Sequence, residues 1–149
     1  VTLSTGKSYY GLVLDSDGYF YLSNDTDDQM EQWSTTGQIT TQSISAGDYN
    51  SLCIVGSIIG FAHNAGAHGA YSIPKNLGSS ESDFSLGEID DTVNSASSID
   101  SAYFLFSGIN DSGNVQFEKY TSAKVLSYAK EVETSETWDD KTHIAAYPF

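Results

Sequence analysis

Arginine is absent from the 149 residues, and six lysines against twenty acidic residues leave a formal net charge of −14. A chain without a basic face can neither track nucleic-acid phosphates nor hold to an anionic bilayer, so nucleic acid is excluded as an expected partner. Proline occurs twice and cysteine once. The lone Cys53 cannot form a disulfide within the chain, and its run Leu52-Cys53-Ile54-Val55 reads as a buried strand rather than as the setting of a reactive thiol. No apolar run approaches the roughly 18 residues of a membrane span, so membrane insertion is not expected. What abounds is hydroxyl and ring: serine and threonine together number 35, and ten residues are tyrosine. The length suits one domain, and residues 1–149 read as a single β domain.

Short alternating or apolar runs broken by Gly, Asp, Asn and Ser dominate the chain. Tyr9 to Asp15, the turn Ser16-Asp17-Gly18 and Tyr19 to Ser23 form one expected hairpin; Ala102 to Ser107, a turn through Asn110 to Gly113, and Val115 to Tyr120 form a second. Cys53 to His63 is β-branched and interrupted by glycine. Ala123 to Glu133 fits a helix through Val125, Ala129 and Val132 or a strand through Leu126, Tyr128 and Val132, and both readings stay open. Turns around Gly18, Gly66 and Gly113 lie 48 and 47 residues apart, which gives three units of similar length. The fold class is all-β, with a β-trefoil as the favoured arrangement and a β-sandwich or jelly roll as the alternative.

Gly11 to Val55 carries GLVLDSDG, the strand YFYL, Glu31-Gln32-Trp33, Gly37-Gln38-Ile39 and a new start at Ser51-Leu52-Cys53-Ile54-Val55. In that order it resembles a repeat of the ricin-B-like β-trefoil lectins, about one third of the chain, with Phe84 in the place of the next unit's Trp. The resemblance implies that Trp33 is a core anchor. The family's sugar-binding Asp would fall on Leu14 and Val55, both apolar, so any sugar site must differ from the family's own.

Candidate chemistry is sparse. Asp15-Ser16-Asp17-Gly18 has alternate carboxylates before a glycine, as in calcium loops, but also suits an ordinary turn. No cofactor is expected, with weak calcium binding across Asp15 to Asp28 kept as the alternative. His63 and His68 flank a glycine-rich turn, with His143 remote, and the spacing does not specify zinc. No nucleophile elbow or phosphate loop occurs, so catalytic residues are not assigned. Tyr19 and Tyr21 share one strand face and Phe20 and Leu22 the other; if the latter pair is buried, the tyrosines face outward, with Asp17 and Asn24 as hydrogen-bonding neighbours. Asp17, Tyr19, Tyr21 and Asn24 are therefore the carbohydrate-binding candidates, and neutral glycans the expected partners, since the acidic charge disfavours anionic ones. Asn24-Asp25-Thr26 and Asn110-Asp111-Ser112 are glycosylation triplets, which with the composition point to an extracellular setting.

The first reading is thus a non-enzymatic, secreted or surface-associated carbohydrate-binding module. A structural or adhesive subunit working through protein contacts, homo-oligomers included, is the second. A hydrolase using paired carboxylates is the third.

Overall fold

The computed structural model describes residues 2–3, 5–45, 49–63, 69–89 and 92–132. Its regular structure is entirely strand. Twelve strands follow one another as β1 (Tyr9–Leu14), β2 (Phe20–Asn24), β3 (Gln29–Ser34), β4 (Gly37–Ser43), β5 (Tyr49–Val55), β6 (Ile58–His63), β7 (Gly69–Pro74), β8 (Ser82–Asp83), β9 (Thr92–Ile99), β10 (Tyr103–Ile109), β11 (Val115–Thr121) and β12 (Leu126–Val132). Both expected hairpins are present, as β1–β2 and β10–β11. The ambiguous segment after Ala123 is strand up to Val132, since Leu126 to Val132 pairs with Tyr120 to Val115.

The strands form three four-stranded antiparallel meanders: sheet I (β1 to β4), sheet II (β5 to β8) and sheet III (β9 to β12). The expected trefoil is overturned here. Each sheet is laddered only within itself, and the chain finishes one meander before starting the next, whereas a trefoil needs its units knitted into a common barrel. Nor do two sheets enclose one core, as a sandwich would; three sheets stack in series and enclose two. β5 lies beside both β1 and β9, so the first strands run side by side at the inner edge and the fourth strands lie outermost.

Tyr21, Met30 and Ile44 of sheet I and its following connection pack on Leu52, Ile59, Phe61, Ile73 and Leu77. On the other face of sheet II, Cys53, Val55, Ala62 and Ala70 receive Val93, Ala96, Phe104, Phe106 and Tyr120, with Phe84 and Ile89 closing the layer. The small residues face large rings: a Cβ on Gly60 would stand 2.6 Å from the Phe104 ring. Because sheet II is covered on both faces, β6 reads as the nearly continuous apolar run IIGFA instead of alternating.

The structural repeat is marked by a bulge in the first hairpin of every sheet. Tyr10, Asn50 and Asn94 are the unpaired residues, between the paired positions Tyr9 and Gly11, Tyr49 and Ser51, and Val93 and Ser95. The expected repeat count of three therefore stands with a different register. Gly18 lies in the first turn of sheet I, Gly113 in the second turn of sheet III, and Gly66 outside the described residues, so these glycines are not equivalent.

Candidate functional site

At one end of the inner strands, three segments remote in sequence converge on a cleft of about 460 Å³. β1 contributes Val13 and Leu14 and then the turn residues Asp15 and Ser16; β5 contributes Ser51 to Ile54; β9 contributes Ala96 to Ser98, with Ser101 from the turn that follows. The first turn is closed by the Asp15 N–H donating to the Tyr19 carbonyl at 2.7 Å and the Gly18 N–H to the Asp15 carbonyl at 3.0 Å. Gly18 takes a φ of 82°, which a glycine adopts without a Cβ penalty. Ser51 Oγ donates to the Ala96 carbonyl at 2.7 Å and ties sheet II to sheet III at the cleft.

The lining is rich in hydroxyls, with Ser16, Ser51, Ser97, Ser98 and Ser101, and Asp15 is the one carboxylate among the lining residues. Asp15 is buried and ion-paired with Lys75, which follows β7; Lys75 also lies 3.7 Å from Asp17. The hydrogen bond with Asp15, aided by the charge of Asp17, holds the Lys75 ammonium above its ordinary pKa against the opposing effect of burial. This pair fastens the cleft turn of sheet I to sheet II. The volume is that of a small-molecule site, and hydroxyls that both donate and accept suit a neutral polyhydroxylated ligand.

The four sugar-site candidates are divided by the fold. Asp17 and Tyr19 are exposed on the same turn as Asp15 and Ser16, at the cleft end. Tyr21 is only 1% exposed, and its hydroxyl accepts from Gln32 Nε2 at 3.0 Å. The expected outward presentation of Tyr21 is thus corrected: its face of sheet I is covered by sheet II. Burial also pushes its phenol pKa up. Asn24 lies at the opposite end of β2, fully buried, and its Nδ2 donates to Glu31 Oε1 at 2.7 Å and Asp27 Oδ2 at 2.9 Å.

The second glycosylation candidate, Asn110, is also buried, its Nδ2 donating to Glu131 at 2.6 Å. Neither acceptor amide is open to solvent in this fold, contrary to the expectation from polar turns. Asp15 and Asp17 stand at one end of β2 and Asp25, Asp27 and Asp28 at the other, so the carboxylates considered for calcium do not converge. Among the described residues no three His, Cys, Asp or Glu side chains gather as metal ligands. His63 is buried with its ring edge-on to Tyr71; His68 and His143 lie outside the described residues.

Cys53 is the small buried hydrophobe the sequence indicated, and desolvation pushes its thiol up to about 12. At pH 8 a disulfide reagent should therefore leave the native protein unlabelled and modify one thiol per chain once urea unfolds it. Stoichiometric labelling of the native protein within minutes would contradict this placement.

The serines of the cleft were missed by sequence reasoning. Ser95-Ala96-Ser97-Ser98 was the available signal, a polar small-residue run inside a strand, but its partners lie more than 40 residues away.

Four-stranded meanders stacked face to face, with their first strands at a common inner edge, define the class: these are consecutive blades of a β-propeller-type repeat fold. Solved structures of that kind are similar to the chain. A catalytically inactive virginiamycin B lyase from Staphylococcus aureus with quinupristin superposes with a TM-score of 0.67 at 16% identity, over 91% of this chain and 45% of that one. A streptogramin B lyase gives 0.68 at 19% identity, over 89% and 43%. The extracellular domain of a two-component system from B. thetaiotaomicron gives 0.60 at 12% identity, over 90% and 18%. The chain thus spans less than half the length of these proteins, and the likeness is one of fold. It overturns the resemblance to ricin-B-like lectins: Trp33 is buried as expected, but on the third strand of a blade. No family model and no curated protein matches the sequence.

Proposed function

We propose that the chain is an extracellular, non-enzymatic binding module that takes a neutral glycan in the cleft formed by the β1–β2 turn, β5 and β9. The observation that carries this reading is the lining of serine hydroxyls around one carboxylate that is already ion-paired with Lys75. A second free carboxylate, which hydrolysis by a carboxylate pair would require, is not among the lining residues. Asp17 and Tyr19 stand on the cleft turn, where a phenol ring offers a face for a pyranose and a carboxylate accepts from its hydroxyls. The net charge of −14 disfavours anionic ligands. The similarity to an extracellular domain supports the setting.

The test is a neutral-glycan array followed by calorimetric titration of the best ligand against Ser98→Ala, Tyr19→Ala and Asp17→Ala. Each variant should weaken binding by roughly fivefold or more, about one net hydrogen bond or ring contact. Absence of any glycan binding by the parent, or three variants that bind as the parent does, would overturn the reading.

A further inference from the structure

The carboxylate of the cleft has a counter-ion that comes from outside the cleft. Lys75 is not among the lining residues; it follows β7 on sheet II, where its N–H donates to the Ser57 carbonyl at 2.9 Å. Its side chain reaches the β1–β2 turn of sheet I. There the ammonium pairs with Asp15 Oδ2 and stands 3.7 Å from Asp17 Oδ2. The Lys75 side chain is 19% exposed and that of Asp15 5%, so the pair is largely out of solvent. The other oxygen, Asp15 Oδ1, has a long contact with Ser16 Oγ at 3.5 Å, which leaves it free capacity to accept beside a cleft hydroxyl.

The charge balance of the turn depends on this ammonium. Asp15 and Asp17 bring two negative charges to it in a chain of net charge −14. Other lysines are engaged elsewhere: Lys7 pairs with Asp27 and Glu31, Lys119 lies over the Tyr103 ring, and Lys124 donates to the carbonyls of Ser82 and Asp83. A largely buried carboxylate without a partner draws a cation strongly, because its lost hydration is otherwise uncompensated. With a tethered ammonium beside it, the same carboxylate still accepts from hydroxyls, whereas a second cation meets like-charge repulsion. Discrimination between ligands rests on such built-in repulsion as much as on attraction.

We propose that Lys75 sets the charge selectivity of the cleft: acting through Asp15, it makes the site one for uncharged pyranoses and turns away sugars that carry a protonated amine. This rests on the glycan reading of the cleft and refines its ligand class. Lys75 is a positioning residue, since it touches Asp15 and does not line the cleft. The same ion pair also fastens the turn to sheet II, and the two roles have different signatures. Loss of the fastening lowers affinity for every sugar. Loss of the counter-ion changes the ratio between sugars that differ only in charge.

The experiment is calorimetric titration of methyl glucoside, methyl galactoside and methyl mannoside, each beside its 2-amino and 6-amino analogues. The titrations are run at about pH 6, where such amines are protonated, and in about 0.15 M salt, which screens distant charges. The parent should bind the uncharged member of at least one set, and its amino analogues no more tightly. In Lys75→Met the ratio should move roughly tenfold or more toward the amine, and in Lys75→Arg, which keeps the charge, it should stay within about threefold of the parent. Asp15→Asn should move the ratio severalfold the other way, by leaving the ammonium without its carboxylate. The double variant Lys75→Met/Asp15→Asn, with neither charge, should show no gain for the amine. If circular dichroism shows that Lys75→Met does not fold, Asp15→Asn decides. An equal loss for charged and uncharged sugars in Lys75→Met, or a ratio unmoved by Asp15→Asn, overturns the inference while the glycan reading stands. A parent that binds none of the uncharged probes overturns it as well, and if that parent also binds nothing on the neutral-glycan array, the glycan reading falls with it.

Discussion

Gly108→Ala should unfold the protein more readily than any other glycine substitution in the described residues. Gly108 is buried in β10 at the bulge, paired with Val93 on one side and Gln116 on the other. A Cβ there would stand 2.0 Å from the Thr92 carbonyl oxygen and 2.3 Å from Ile89 Cγ2. Ile89 could turn aside. The Thr92 oxygen could not, because Thr92 is held in register opposite Ile109, and moving it opens the ladder between the two inner strands of sheet III. Overpacking usually costs about 1–3 kcal/mol, and against a fixed backbone oxygen the upper end is expected, about 3 kcal/mol, a fall in Tm of roughly 6–12 °C for a chain of this size. Gly18→Ala is the control: its φ of 82° carries strain, but nothing lies within 4 Å of the new Cβ, so about 1–2 kcal/mol is expected. Thermal melts of the two variants decide the matter. A Gly108→Ala protein that melts within 2 °C of the parent would show that β9 is not held where the register places it.

That bulge illustrates what could and could not be read from residues alone. The hairpins were legible because period-two runs flank Asp-Gly and Asn-Asp-Ser-Gly turns, and turn chemistry is local. Which hairpin lies beside which is set by hydrogen bonds between segments, and a meander and a trefoil leave the same trace of strands and turns. The face assignment at Tyr19 to Leu22 failed for a related reason. Alternation shows which side chains share a face; it does not show whether both faces are covered. In sheet I it is the Tyr21 face that sheet II covers, so Tyr21 is buried, while Leu12 and Leu14, on the face of Phe20 and Leu22, stay in the open. Of the four sugar-site candidates, Tyr21 and Asn24 are buried within the blade, whereas Asp17 and Tyr19 stand exposed at the cleft end because they lie in or beside a turn. The serines opposite them come from strands that meet only in three dimensions.

Trp33 was recognised as a core residue, but its partner was not. It stacks on Phe20 with ring centroids 6.3 Å apart and donates its indole N–H to Glu31 Oε2 at 2.8 Å. Glu31 is fully buried, which no reading of an acidic, solvent-facing strand would give. The signal was an internal repeat: Glu31-Gln32-Trp33 on β3 recurs as Glu118-Lys119-Tyr120 on β11. In both, an aromatic donor two residues on, and hence on the same face, binds a buried carboxylate.

The second copy of this motif carries the other large effect. Glu118 is 0% exposed. Its Oε2 accepts the Gly87 N–H at 2.9 Å and the Tyr120 hydroxyl, and its Oε1 accepts the N–H groups of Glu88 and, at 3.3 Å, Ile89. Gly87 to Ile89 belong to the connection between β8 and β9, so one carboxylate from sheet III holds the segment that joins sheet II to sheet III and contributes to their relative angle. Burial, followed by the bond to Glu118, pushes the Tyr120 phenol well above its ordinary pKa, so it remains a donor throughout the stable pH range. Every group around the carboxylate is a donor, and Glu118→Gln turns one acceptor oxygen into an NH₂ that faces them. The loss should be about 3 kcal/mol or more, since charge-assisted bonds go and buried N–H groups are left unpaired. Tyr120→Phe removes a single donor and should cost about 1–1.5 kcal/mol. Together they should cost less than their sum, because the hydroxyl and the carboxylate share one bond. Urea unfolding gives the energies, and hydrogen exchange locates the effect: in Glu118→Gln the amides of Gly87, Glu88 and Ile89 should lose protection ahead of those in β6. If Glu118→Gln unfolds within 1 kcal/mol of the parent and those three amides keep their protection, the carboxylate is not what fastens the second blade to the third.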